Sequence, residues 1–267
     1  HRGQALPQAQ SLDQVEDAWD EMSALYGDNA MMPITYINSA ANLKAFVGRH
    51  GGAVCTSSSA EPIIKWALAR RERLLFFPDQ HLGRNTAYRM GIPLSEMVVW
   101  DPRSEPGALG GNTREACERA KIVLWRGHCQ VHKRFLPDHV RSFRNKFPGI
   151  RIIVHPECSW DVVQMADHVG STASIIKTIN EAPADTSWAV GTEIHLVDRI
   201  RKTNPDKFVS SLVPGVCLCS TMNRIDPQHL LWVLENLERG TVVNQVKVPA
   251  KIAADARDAL DRMLAIS

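Results

Sequence analysis

Two cysteines in this chain stand in the same register to the residues that follow them. Cys129, in WRGHCQVH, precedes Asp138 of the stretch LPDHV by nine positions, and Cys219, in CLCSTM, precedes Gln228 of DPQHL by the same nine. A third stretch of this type, SLDQV, has Asp13 in the matching place, and counting back from it leads to Gln4. The register predicts a thiolate at that position, where the sequence has an amide. Three thiolates from three repeated units, meeting near a shared axis, suit a 4Fe-4S cluster with three irons held by protein and one left to polarise a substrate oxygen as a Lewis acid. Cys55, Cys117 and Cys158 lie outside the register and read as small apolar core residues. Cys217 reads the same way, or together with Cys219 as half of a zinc site.

A second set of groups is suited to moving protons and holding anions. His155, Pro156 and Glu157 end the apolar run RIIV, where an imidazole and a carboxylate can exchange protons with a bound molecule. The plainer reading is a strand-end histidine followed by a helix-start acid. Tyr36 and Asn38 in TYINS are spaced i, i+2, which directs both to one sheet face; otherwise they are ordinary turn residues. Ser57, between Thr56 and Ser58, and Ser171 with Thr172 after Gly170, each fall between an apolar run and a helical stretch. A helix start there offers N–H groups and a positive dipole end to a carboxylate or phosphate, although each serine taken singly is a helix cap. Glu193 in VGTE reads as a first-turn helix acid.

These groups need strands and helices that bring them to one edge. Short apolar runs alternate with amphipathic stretches throughout, which predicts α/β layers with mainly parallel sheets. Strands are expected at 31–37, 51–56, 73–78, 97–100, 121–125, 151–155, 187–192, 207–212 and 242–248. Helices are expected from Leu12, Ala40, Pro62, Thr113, Pro137, Trp160, Ile194, Pro227 and Lys251 onward, with a helix-like stretch after GSTAS. The Pro- and Gly-rich segment 101–112 reads as a surface loop. The strand-to-helix junctions repeat: TYINSAA, VCTSSSA and FFPDQ are matched in order by VHPECSW, VGSTAS and AVGTE. Each unit offers its polar groups at the strand ends where doubly wound sheets bind ligands. The expected domains are 28–128 and 129–219, with 1–27 and 220–267 together forming part of a further unit. The opening residues, HRGQALPQAQ, lead into a helix with no strand before it, so the chain is expected to begin in the middle of a fold.

Composition narrows the partners. The 267 residues carry 31 basic and 29 acidic side chains, a net charge of +2, which gives no strong pull toward nucleic acid or an anionic membrane. The seven tryptophans are not interleaved with basic residues as base-stacking surfaces are. No apolar run approaches the roughly 18 residues of a bilayer span, and HRGQALPQAQ is not a secretory signal. Six cysteines are too sparse for a disulfide scaffold, so the expected compartment is the reducing cytosol.

Taken in order, TYINSAANLKAF, VCTSSSA, FFPDQHLG, LWRGHCQVH, VHPEC, GSTASII, VGTE and CSTM resemble quinolinate synthase from about Leu12 to the C-terminus. The resemblance implies three similar αβα domains in a pseudo-threefold arrangement, the first incomplete here, around a cavity with a 4Fe-4S cluster held by one cysteine from each. It implies condensation of iminoaspartate with dihydroxyacetone phosphate to quinolinate, with loss of phosphate and water, in NAD biosynthesis. L-aspartate oxidase is then the candidate supplier of the unstable imine. The cluster cysteines fall on Cys129 and Cys219, and the first cluster position on Gln4. The substrate-binding positions fall on Tyr36, Ile37, Asn38, Ser57, His155, Pro156, Glu157 and Thr172. Glu157 would be the general acid/base and Tyr36 a proton donor or orienter. His155, Asn38 and Ser57 would hold carboxylates, and Thr172 with Ser171 the phosphate or a carboxylate. Two other readings compete with this one. The first is a catalytically inactive α/β homologue or fragment that binds small dicarboxylates, and the second is a different α/β enzyme with zinc at Cys217, Cys219 and a histidine.

Overall fold

The computed structural model describes residues 11–27, 29–213 and 218–266. Gln4 and Cys217 lie outside the described residues.

The first layer opens with α1 (Leu12–Tyr26) and continues through β1 (Met31–Tyr36), α2 (Ala41–Arg49), β2 (Ala53–Cys55), α3 (Ala60–Leu68) and β3 (Arg73–Phe77). It ends with α4 (Gln80–Arg89), β4 (Met97–Trp100), α5 (Arg114–Arg119) and β5 (Ile122–Trp125). The strands form one wholly parallel sheet in the order β2-β1-β3-β5-β4. Unbroken apolar runs such as LLFF and IVLW are what a parallel sheet covered on both faces requires, and Leu74, Leu75, Phe76, Phe77, Ile122, Val123 and Leu124 are all fully buried.

The second layer comprises α6 (Pro137–Lys146), β6 (Arg151–Val154), α7 (Trp160–Met165), β7 (His168–Val169), α8 (Thr172–Glu181), β8 (Ser187–Gly191), α9 (Ile194–Thr203) and β9 (Phe208–Ser211). Its sheet is also parallel, ordered β7-β6-β8-β9. The fold is therefore α/β with two parallel sheets. Two helices follow, α10 (Pro227–Glu238) and α11 (Ala250–Ile266).

Both α1 and α11 pack on the first layer. Val15, Ala18 and Met22 of α1, and Ala259 and Met263 of α11, belong to the same core as β1 and β3. Arg262 donates to the carbonyls of Gly48 and Gly52, and Arg49 pairs with Asp255 at 3.2 Å. Helix α10 is different, with Leu230, Leu231, Trp232, Leu234 and Leu237 all exposed. The expected strand at 242–248 does not form. Its alternating valines suit a strand, but a strand exists only beside another, and among the described residues none runs alongside this segment.

Helix α4 was not expected. Its buried face is Leu82, Gly83, Asn85, Thr86 and Ala87, too small and polar to announce itself as an apolar stripe. A Cβ on Gly83 would come within 2.7 Å of Leu124 and Phe76 side-chain carbons, so glycine is what lets α4 lie close on the sheet. The 101–112 loop is tied to α1 by Glu21, which accepts the Trp100 indole N–H at 2.7 Å and the Leu109 backbone N–H at 2.9 Å.

Candidate active site

In each sheet the chain leaves one central strand in one direction and returns on its other side. That reversal opens a crevice at the C-terminal strand ends, between β1 and β3 in the first sheet and between β6 and β8 in the second. Tyr36 ends β1 and Asp79 follows β3; His155 and Glu157 follow β6, and Thr192 follows β8.

Side chains join the two crevices. The Asn85 amide of α4 donates to the carbonyls of Pro156 and Cys158, both at 2.8 Å. Asp79 caps α4 by accepting the N–H groups of His81 and Leu82 at 2.8 Å through Oδ1, while Oδ2 accepts the backbone N–H of Cys129 at 2.8 Å. One buried carboxylate thus fixes a helix start and the loop that carries a candidate ligand. Burial, and then the charge of Glu157, pushes the Asp79 carboxyl well above the ordinary aspartate range, while the three N–H donors oppose that rise.

Glu157 is the centre of the arrangement and is 6% exposed. The Nδ1 atoms of His155 and His132 lie 3.1 Å and 3.3 Å from its Oε2, and the two imidazoles stack with centroids 4.4 Å apart. Burial alone would raise this carboxyl, but the two imidazoles beside it outweigh burial and hold it at about 2. The Glu157 backbone N–H also points at His155 Nδ1, at 3.3 Å. With a proton on Nδ1, His155 donates to the carboxylate; without it, Nδ1 accepts the backbone N–H. The same atom has a partner in either state, which suits a pair that passes protons.

Tyr36 shares this environment. Burial and then Glu157 push its hydroxyl well above the ordinary tyrosine value, with a hydrogen bond from Ser57 opposing in part. Tyr36 therefore stays a proton carrier, held neutral beside an anionic carboxylate. The Cys129 thiol, half-buried, is pushed up to about 12 by burial and then by Glu157. His81 is driven down to about 4 by burial and by the positive charge of Arg84. Cys129, His132 and Glu157 offer a sulfur, a nitrogen and an oxygen that all lie within 4.8 Å of one another, a group able to hold a metal ion.

The structure thus brings Tyr36, Ser57, Cys129 and Glu157 into one electrostatic neighbourhood, with His155 in contact with the carboxylate. Other expected residues sit differently. Asn38 and Thr172 are exposed, at the C-terminal ends of β1 and β7. Ser171 caps α8, its Oγ accepting the Ser174 N–H, and Ile37 donates its N–H to the Cys55 carbonyl. Glu193 caps α9 through the His195 N–H. Cys219 packs on the second layer's core and pairs with the Thr221 hydroxyl at 3.1 Å. Burial raises its thiol, but hydrogen bonds from Thr221 and the Met222 backbone prevail and hold it below the ordinary value.

Sequence reasoning missed His132, Asp79, Asn85 and Thr192. Cys129 and His132 are spaced C-x-x-H, a metal-ligand spacing that pointed to the histidine. Asp79 lies just past the strand expected at 73–78, where polar groups are expected to face a ligand.

No helix among the described residues is long and apolar enough to cross a membrane. The family model described as quinolinate synthetase A protein matches residues 5–265. A quinolinate synthase of Herpetosiphon aurantiacus is 55% identical over 268 residues, covering 99% of this chain and 71% of the relative. One from a Geobacillus species is 52% identical, with 99% and 71% covered, and one from Rhodopirellula baltica is 50% identical, with 99% and 67% covered. Two parallel α/β layers that meet at a Glu–His–Tyr crevice, together with matches over nearly every residue, place this chain in the quinolinate synthetase A protein family.

Proposed function

We propose that the protein forms quinolinate from iminoaspartate and dihydroxyacetone phosphate, with loss of phosphate and water, as a step of NAD biosynthesis. The observation that carries the reading is Glu157, a buried carboxylate between two imidazoles and next to a tyrosine that keeps its proton. Carbon–carbon bond formation, loss of water and ring closure each need a proton taken from one atom and given to another. Glu157 takes and returns these protons, His155 holds the carboxylate in position and shares its proton, and Tyr36 donates to or orients the reacting oxygen. Asn38 and Ser57 hold substrate carboxylates, Ile37 and Pro156 line the site, and Ser171 and Thr172 at the start of α8 receive the phosphate or a carboxylate through the helix N-terminus.

The donor set fits an iron–sulfur cluster in part. Cys129 and Cys219 are soft sulfur donors on the same core, and they would hold two corners of a 4Fe-4S cluster. The third position, Gln4, carries an amide, a poor ligand for iron beside a thiolate. Such a cluster supplies one open iron that polarises a substrate oxygen. Helix α10 is proposed to belong to a third αβα unit, which accounts for its exposed leucines, whereas α1 and α11 pack on the first layer. The cytosol is the proposed compartment, and L-aspartate oxidase the proposed source of the imine.

A second reading, an inactive homologue that binds small dicarboxylates, draws on Gln4. Anaerobic purification of the protein from its complete reading frame separates the two. The enzyme reading expects quinolinate from the two substrates and the broad visible absorption of a thiolate-ligated cluster, lost in Cys129→Ser and Cys219→Ser. Absence of product in cluster-loaded protein supports the inactive homologue, and absorption that survives both variants refutes the ligand assignment.

A further inference from the structure

We infer that Cys129, His132 and Glu157 form a site for a single thiophilic divalent cation of the zinc type, used when no cluster occupies Cys129. Two independent observations carry this. The first is convergence: Cys129 Sγ, an imidazole nitrogen of His132 and a carboxylate oxygen of Glu157 lie within 4.8 Å of one another. Zinc sits at about 2.3 Å from thiolate sulfur and about 2.0–2.2 Å from nitrogen or oxygen. Side-chain movements on the order of 1 Å therefore complete the coordination.

The second observation is a buried nitrogen without a hydrogen bond. His132 is 7% exposed, and its Nδ1 makes no hydrogen bond, although Glu157 Oε2 lies 3.3 Å away. Leaving such an atom unpaired is costly in a buried site, and a cation removes that cost. The opposite nitrogen, Nε2, is held by the Thr192 hydroxyl at 3.3 Å, so the ring is anchored with Nδ1 turned toward Glu157. Metal-binding histidines are commonly oriented in this way through their other nitrogen. His155 contacts the same Glu157 oxygen at 3.1 Å and steadies the third ligand.

Three protein donors of mixed type leave a fourth tetrahedral position for water, the arrangement of an open zinc site. Binding deprotonates Cys129: its S–H bond breaks, the sulfur lone pair binds the cation, and the proton leaves to solvent. No redox partner is needed. The cation takes Cys129 and Glu157 out of the chemistry proposed above, so cluster and single cation are alternative occupants. The inference does not rest on the cluster reading, because the cluster requires Cys219 and this site does not.

The test titrates Co2+, then Zn2+ in competition, into full-length protein freed of metal by chelator under reducing, anaerobic conditions. One equivalent of Co2+ is expected to bind with a sulfur-to-cobalt charge-transfer band and visible bands of four-coordinate intensity, and Zn2+ is expected to displace it. Cys219→Ser should keep the band, Cys129→Ser should lose it, and His132→Gln should weaken binding at least tenfold. If a buried variant does not fold, the wild-type spectrum together with Cys219→Ser decides the matter. Absence of the charge-transfer band in wild type, its persistence in a folded Cys129→Ser variant, or its loss in Cys219→Ser overturns the inference. A missing single-cation band beside normal cluster assembly would refute only this site, and the reverse outcome only the cluster.

Discussion

Asp79 Oδ2 accepts the backbone N–H of Cys129 at 2.8 Å, while Oδ1 of the same carboxylate caps helix α4. The bond ties the end of β3 in the first layer to the loop that leads into the second. An asparagine would fit the space but would place an NH2 group against one of these N–H donors. Asp79→Asn is therefore expected to cost about 2 kcal/mol, the scale of an unsatisfied buried group. A urea midpoint equal to wild type would show that the shared carboxylate is not structural.

Acid should weaken the fold in two stages. His81 titrates at about 4 in the folded chain, against ~6.5 for an ordinary histidine. Below the higher value the unfolded chain takes up a proton that the folded chain does not, so stability falls from pH ~6.5 toward 4. Glu157, held at about 2, contributes stability that is present above the ordinary glutamate value of ~4.3 and is lost as pH falls through its folded value. Unfolding midpoints measured against pH should show the upper stage reduced in His81→Gln and the lower stage reduced in Glu157→Gln. A fall in the midpoint between pH 6.5 and 4 that His81→Gln leaves unchanged would contradict the first assignment.

Gly83→Ala should destabilise although alanine is the better helix former. The added carbon meets Leu124 and Phe76 at 2.7 Å, and forcing a methyl into a packed core costs about 1–3 kcal/mol. The displacement would also move Asn85, which holds the Pro156 and Cys158 carbonyls. A thermal midpoint at or above wild type would mean that the helix–sheet spacing is looser than it looks.

The leucines of α10 bear on the proposed third unit. If the complete protein buries them, Leu234→Glu should lower its unfolding midpoint by burying a charge. In a 267-residue chain, where Leu234 is 54% exposed, the same change should be nearly silent. Equal effects in both contexts would remove α10 from that unit.

Much of this was legible in the sequence, for identifiable reasons. Parallel strands covered on both faces leave unbroken apolar runs, so β1, β3, β5, β6 and β8 were plain to read. Glu157 stood out because HPE follows such a run. Helix α4 stayed hidden because it buries Gly83, Asn85 and Thr86 rather than leucines. The part played by His132 arises largely through space, from a ring stacked on His155 of a different strand end, and locally only its C-x-x-H spacing from Cys129 points to it. Segment 242–248 shows the converse, since valine alternation satisfies a strand's side-chain requirement but not its need for a neighbour. Ser171 and Glu193, read as cap or helix-start acid when taken singly, do cap α8 and α9.

The most direct test of the account concerns Glu157 itself. Single-turnover quinolinate formation should be compared between wild type and Glu157→Gln, both anaerobic and both loaded with iron and sulfide to the same visible absorption. Equal absorption is expected, with turnover in Glu157→Gln reduced at least ~100-fold, the lower end of what a positioned acid/base contributes. Turnover at the wild-type rate would show that the carboxylate between His132 and His155 does not handle the protons of this reaction.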